Sequence, residues 1–119
     1  MTDKLIERFF KYIRIDTASN EKVNNTPSTP GQIVLAGNLK DELSALGLKE
    51  IELTGEGYLY ARLPANHSTQ AAPIGFIAHL DTSDAVKSTG IKPVRFRYAG
   101  GDVVDERSGI VVVRECEEL

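Results

Sequence analysis

Apolar side chains recur at Leu5, Ile6, Phe9, Phe10 and Ile13, and the positions between them carry Lys4, Glu7, Lys11 and Arg14. A repeat of three to four residues predicts an amphipathic helix over residues 3–14, with Thr2 as its cap. Its aromatic side chains are expected in the core rather than against a ligand. The periodicity then stops. Residues 15–28 are polar and hold Asn20, Asn24, Asn25 and Pro27, which reads as a loop. A helix start follows in Ser28-Thr29-Pro30-Gly31-Gln32. Thr29 is placed to cap, Pro30 suits the first helical position, and Gln32 stands where a capping box wants its reciprocal partner. Leu35, Ala36, Leu39, Leu43 and Leu46 continue as an apolar stripe, and Gly47 is expected to end the helix in the left-handed conformation.

The pattern then changes to short apolar runs. Residues 50–53, 58–63 and 74–79 read as strands, with Gly55-Glu56-Gly57 as a tight turn that makes the first two a hairpin or neighbours. Residues 64–72 form a surface connection, so His67 is expected to be a solvated loop histidine. The third run is apolar on both faces, Ile74, Phe76 and Ala78 on one and Ile77 on the other, which suits a central buried strand. Beyond it the chain is loop-like. An extended stretch is expected over 93–98, a turn at Gly100-Gly101-Asp102 and a last strand over 110–113, followed by a charged tail. The expected fold class is α/β: two helices on a mixed sheet that is incomplete.

Length and composition narrow the function classes. At 119 residues the chain is one domain at most, with 41% hydrophobic and 26% charged residues, as in an ordinary soluble protein. The net charge is -3, and Lys92, Arg95 and Arg97 read as the solvent side of a strand, so nucleic acid is not an expected partner. Charges at Lys4, Glu7, Arg8 and Lys11 leave no apolar core for a signal peptide, and no segment is long enough to cross a bilayer. Cys116 is the single cysteine, without a partner for a disulfide or a metal knuckle. A cytoplasmic location is expected.

Candidate chemistry is concentrated in His79-Leu80-Asp81, at the end of the third apolar run. Side chains alternate along a strand, so His79 and Asp81 project to one side if the strand persists. Ligands and metals collect at the carboxyl ends of strands in open α/β sheets. A metal-binding imidazole usually has its other ring nitrogen oriented by a carboxylate or carbonyl. Two readings stand at this point: a metal ligand with its orienting carboxylate, or a buried core histidine bonded to Asp81 with no metal.

Several segments together resemble the tripeptide aminopeptidases of the M20 metallopeptidase family. They are Leu5-Ile6-Glu7-Arg8-Phe9 with Ile15-Asp16-Thr17, then Pro27-Ser28-Thr29-Pro30-Gly31-Gln32, and Glu42-Leu43 to Gly47-Leu48. The stretches from Gly57-Tyr58-Leu59 to Pro64-Ala65-Asn66 and from Ile74-Gly75-Phe76 to Asp81-Thr82-Ser83 complete the set. The likeness runs in register from about Lys4 to Asp102 and fades past Val104. It is most specific at Thr29-Pro30-Gly31-Gln32 and at His79-Leu80-Asp81-Thr82-Ser83.

The resemblance implies that His79 binds one of two zinc ions and that Asp81 orients it and supports catalysis. The implied activity is metal-dependent release of the N-terminal residue from tripeptides, the two zinc ions activating a water and polarising the scissile carbonyl. Short peptides are the implied partners, and a homo-oligomer is left open. The family's bridging aspartate, Glu-Glu pair, further carboxylate and second histidine come later in a longer chain. Glu117-Glu118, Asp102, Asp105 and Glu106 lack the surrounding pattern and are assigned no role. Residues 1–119 are therefore expected to be the N-terminal portion of the catalytic domain, truncated and inactive alone. The rival readings are another hydrolase of the clan (a carboxypeptidase, dipeptidase or deacylase) and a non-catalytic α/β fragment.

Overall fold

The first apolar stripe forms helix α1, Asp3–Tyr12. The computed structural model describes residues 3–68, 70–97, 100–104, 109 and 111–112. The expected cap at Thr2 lies outside them. After Tyr12 the backbone tightens, Arg14 N–H bonding to Lys11 O at 3.4 Å and Ile15 N–H to Tyr12 O at 3.0 Å. These i−3 bonds end the helix two residues before the expected limit. Its stripe is only partly covered: Ile6, Phe10 and Ile13 are half-buried, whereas Leu5 and Phe9 are exposed. The expectation that both aromatics belong to the core therefore fails for Phe9, which meets Phe10 in a tilted pair, ring centroids 6.1 Å apart, but stays 56% exposed.

The second helix, α2, runs Pro30–Ala45 with Pro30 in its first turn. Gly47 follows at φ +85°; its N–H bonds to Ser44 O at 2.9 Å, and Leu48 N–H bonds to Leu43 O at 3.1 Å. That pair of bonds is the Schellman stop expected of a glycine here. Leu35 and Ala36 are buried, Leu39 and Leu43 half-buried, and Leu46 exposed.

Glu42 of α2 ties the two helices together. Its carboxylate accepts from Lys11 Nζ at 2.7 Å and Tyr12 Oη at 2.6 Å, with Arg8 Nε at 3.4 Å. The bonds from Lys11 and Tyr12 hold the Glu42 carboxyl below its ordinary range. Desolvation, then the bond to Glu42, pushes the Tyr12 phenol from 10.0 up to about 12. Between those values the folded chain keeps a proton that the unfolded chain releases, so stability should fall as pH rises through this window. Tyr12→Phe should flatten that slope in urea midpoints measured against pH. At the acid end the sign reverses: Glu42 contributes above the ordinary carboxylate range, and the contribution is lost as pH falls through its depressed folded value.

α2 packs on a hairpin of β1, Lys49–Leu53, and β2, Leu59–Arg62. The strands are antiparallel with Lys49 opposite Arg62, Glu52 opposite Tyr60 and Leu53 opposite Leu59. The register shifts between Lys49 and Glu52, and Glu50, at φ +50°, takes the strained residue of that irregularity. The expected turn closes through Thr54, whose N–H bonds to Tyr58 O at 2.9 Å and whose hydroxyl accepts from Tyr58 N–H at 3.2 Å. A second pair follows, β3 at Val103–Val104 and β4 at Val111–Val112, antiparallel. The expected strand 110–113 is met at Val111–Val112, its two ends lying outside the described residues, as does the tail 114–119.

The third apolar run departs from expectation. Residues 71–81 carry no strand, and Ile74, Phe76 and Ile77 are 82%, 94% and 101% exposed. An apolar run becomes a strand only when neighbours pair with its edges, and among the described residues none does. Parallel pairing is confined, among those residues, to an isolated bridge between Ala18 and Thr82. Two helices with small antiparallel sheets thus give an α/β arrangement in partial form. No helix among the described residues is long and apolar enough to cross a membrane.

Candidate metal-ligand pair

His79 Nδ1 lies 3.1 Å from Asp81 Oδ1. The two residues are separated by one position, so an extended backbone places both side chains on one side without needing a sheet. An ionised carboxylate can only accept, so the contact suits the tautomer with its proton on Nδ1, the one in which a neutral imidazole presents Nε2 to a ligand. The histidine side chain is 84% exposed and the aspartate 45%, so the buried-core reading of His79 does not match the structure. The other histidine, His67, contacts Asn66 Oδ1 at 2.8 Å on an exposed loop, as expected.

The residue after the pair is pinned. Thr82 N–H bonds to Thr17 O at 3.1 Å, and Thr82 O accepts from Ser19 N–H at 2.9 Å and from Ser19 Oγ at 3.2 Å. The segment that receives it is itself ordered by Asp16, whose Oδ1 accepts from Ser88 Oγ and, at 3.2 Å, from Ala18 N–H. Those two bonds, Ser88 first, lower the Asp16 carboxyl from its ordinary value. An open groove of about 710 Å³ runs beside the segment, with Asp16, Ser19, Asn20, Lys22 and Asp84 on its walls. Asp84 belongs to the loop that follows Asp81.

Thr29 and Gln32 do not form the expected capping box. Thr29 has extended φ and ψ, but its hydroxyl donates to Ala18 O at 2.8 Å instead of capping α2. Buried Gln32 turns Nε2 to Ser28 Oγ at 3.2 Å and Thr17 O at 3.5 Å. The loop lying against the helix start offers carbonyls that draw both side chains away from the helix's own N–H groups.

Sequence reasoning found the His79–Asp81 pair but missed Thr17, Ser19 and Ser88 around it. Their contacts with the loop after Asp81 or with Asp16 span more than sixty residues and use backbone atoms or single hydroxyls, which leave no periodic trace.

As a metal centre the described residues are incomplete. Among them no group of three or more His, Cys, Asp or Glu side chains is placed to hold an ion. One imidazole and one carboxylate fall short of the three or four protein ligands of a zinc site. The donor chemistry fits a single ligand with its orienting partner, and goes no further. Asp102 is exposed and joins no such group; Asp105, Glu106, Glu117 and Glu118 lie outside the described residues.

No family model matches the chain. Individual relatives do. It is 45% identical over 111 residues to peptidase T of Parabacteroides distasonis, covering 93% of this chain and 27% of that protein. Against peptidase T of Bacillus licheniformis it is 42% identical over 122 residues, covering 100% of this chain and 30% of that protein. Against peptidase T of Photobacterium profundum the identity is 45% over 102 residues, 85% of this chain and 25% of that protein. By sequence the chain is similar to these peptidase T proteins over most of its own length, and it spans between a quarter and a third of theirs.

Proposed function

We propose that residues 1–119 are the N-terminal portion of the catalytic domain of a zinc-dependent tripeptide aminopeptidase acting in the cytoplasm. The carrying observation is identity of 42–45% to peptidase T proteins over 85–100% of the chain. In this reading His79 Nε2 is a ligand to one of two zinc ions, and Asp81, at 3.1 Å from Nδ1, holds the imidazole's tautomer and orientation. The remaining ligands and the general base must come from outside the described residues. A single imidazole neither fixes an ion in place nor positions a water. The 119-residue chain by itself is therefore expected to be inactive.

A chimera tests this. Residues 4–104 would replace the matching segment of the Parabacteroides distasonis peptidase T, and product release from trialanine would be followed with added zinc. The chimera should free the N-terminal alanine and leave an N-acetylated tripeptide intact. The isolated chain should show no turnover above its His79→Ala variant. A folded chimera that prefers an N-acyl amino acid or a dipeptide would point to a sibling hydrolase. An inert one that retains its fold would favour the non-catalytic reading.

A further inference from the structure

The Thr29-Pro30-Gly31-Gln32 motif grips a distant segment and not the helix it begins. Thr29 Oγ1 holds Ala18 O at 2.8 Å, and Gln32 Nε2 approaches Thr17 O at 3.5 Å. Ser28 Oγ, which accepts from Gln32 Nε2, also accepts from Asn20 N–H at 3.0 Å. Gly31 brings the helix against the carbonyl of Asp16, since a Cβ there would meet that oxygen at 1.6 Å. Residues 16–20 are therefore seated along the start of α2, and Thr17 is 4% exposed.

Thr17 O is the link onward. It accepts from Gln32 on one side and from Thr82 N–H on the other. Thr82 O is fixed in turn by Ser19 N–H and Ser19 Oγ. With both its N–H and its C=O bonded, Thr82 has little freedom to turn, and Asp81 is joined directly to it. The contacts that Ser28, Thr29 and Gln32 make onto this segment go to its backbone atoms, so they set where the chain runs whatever side chains it carries.

We infer that Thr29 and Gln32 are positioning residues for the His79–Asp81 pair: they hold the Thr17 and Ala18 carbonyls, the held segment fixes Thr82, and Thr82 sets Asp81 against His79. The inference rests on reading His79 and Asp81 as the working pair. Neither residue touches that pair, and both act through the backbone.

The test uses the metal-free 119-residue chain in solution at fixed pH. Three signals are read by nuclear magnetic resonance: the coupling across the Thr82 N–H to Thr17 O bond, amide exchange at Ser19 and Thr82, and the ring nitrogen shifts of His79. Thr54, whose N–H bonds within the hairpin turn, serves as the internal control. Gln32→Leu should speed exchange at Ser19 and Thr82 by about tenfold while Thr54 holds. The His79 ring shifts should move toward those of Asp81→Asn. Thr29→Val should act in the same direction, and Thr29→Ser, which restores the hydroxyl, should return the wild-type signals.

Unchanged Thr82 coupling and unchanged His79 shifts in Thr29→Val would overturn the inference, even if Gln32→Leu fails to fold. Equal loss of protection at Thr54 in Thr29→Val would overturn it too, as general destabilisation. An inactive chimera with these signals intact would sink the activity and leave the clamp standing, so the two failures are distinguishable.

Discussion

Alanine at position 31 is expected to destabilise the chain, while alanine at position 37, in the same helix, stabilises it. Both glycines lie within α2, where replacing glycine by alanine normally gains about 0.5–1 kcal/mol from backbone entropy. The surroundings decide the sign. A Cβ at Gly31 would stand 1.6 Å from Asp16 O and 2.7 Å from Asp16 C, both backbone atoms that no rotamer change can move aside. A Cβ at Gly37 would meet nothing within 4 Å. Overpacking costs about 1–3 kcal/mol and occasionally more, and a clash against pinned backbone belongs at the upper end. Gly31→Ala should thus lower Tm on the order of 10 °C or more, and Gly37→Ala should raise it by a few degrees, on the usual scale for a domain near this size. Thermal melts of the two variants check both signs. A rise in Tm for both would mean that residues 16–17 are not seated on the helix.

Both helices were legible because the signals are local. The stripe from Leu5 to Ile13, the proline at position 30 and the glycine at 47 act within one or two turns of themselves. The hairpin was legible for the same reason, its turn closing within residues 54–58. Thr29 and Gln32 show where such reading stops. Their spacing is the same whether the partners are the helix's own N–H groups or carbonyls eleven and fifteen residues upstream, and the carbonyls prevail. The run 74–79 fails differently. Its apolar character on both faces is real, but strand formation depends on neighbouring edges that the segment does not contain, and its apolar side chains stay exposed. Of the candidate site, the spacing of His79 and Asp81 was enough to bring them within 3.1 Å, because that contact needs only one intervening residue. The bridge between Thr17 and Thr82 was invisible, since backbone bonds carry no residue signature.

His79→Ala and Asp81→Asn should fail in different ways when placed in the peptidase T chimera. If His79 is a direct ligand, its removal deletes a metal–nitrogen bond, and one of two zinc ions should be lost together with activity. Asp81→Asn keeps the size of the side chain but replaces the charged acceptor of the bond to Nδ1 with a neutral one. The imidazole then loses the charged partner that holds its orientation. Changes of this outer kind typically lower affinity or activity about 10–100-fold. The asparagine variant should therefore still bind two ions at saturating zinc while turning over trialanine slowly. Its deficit in metal affinity should shrink as zinc is raised, whereas the missing ion in His79→Ala should not return over the same range. Counting bound zinc after removal of free metal, alongside the rate, separates these outcomes. Two ions retained by His79→Ala would show that the imidazole is no ligand and that the hydrogen-bonded pair serves only the local turn of the chain.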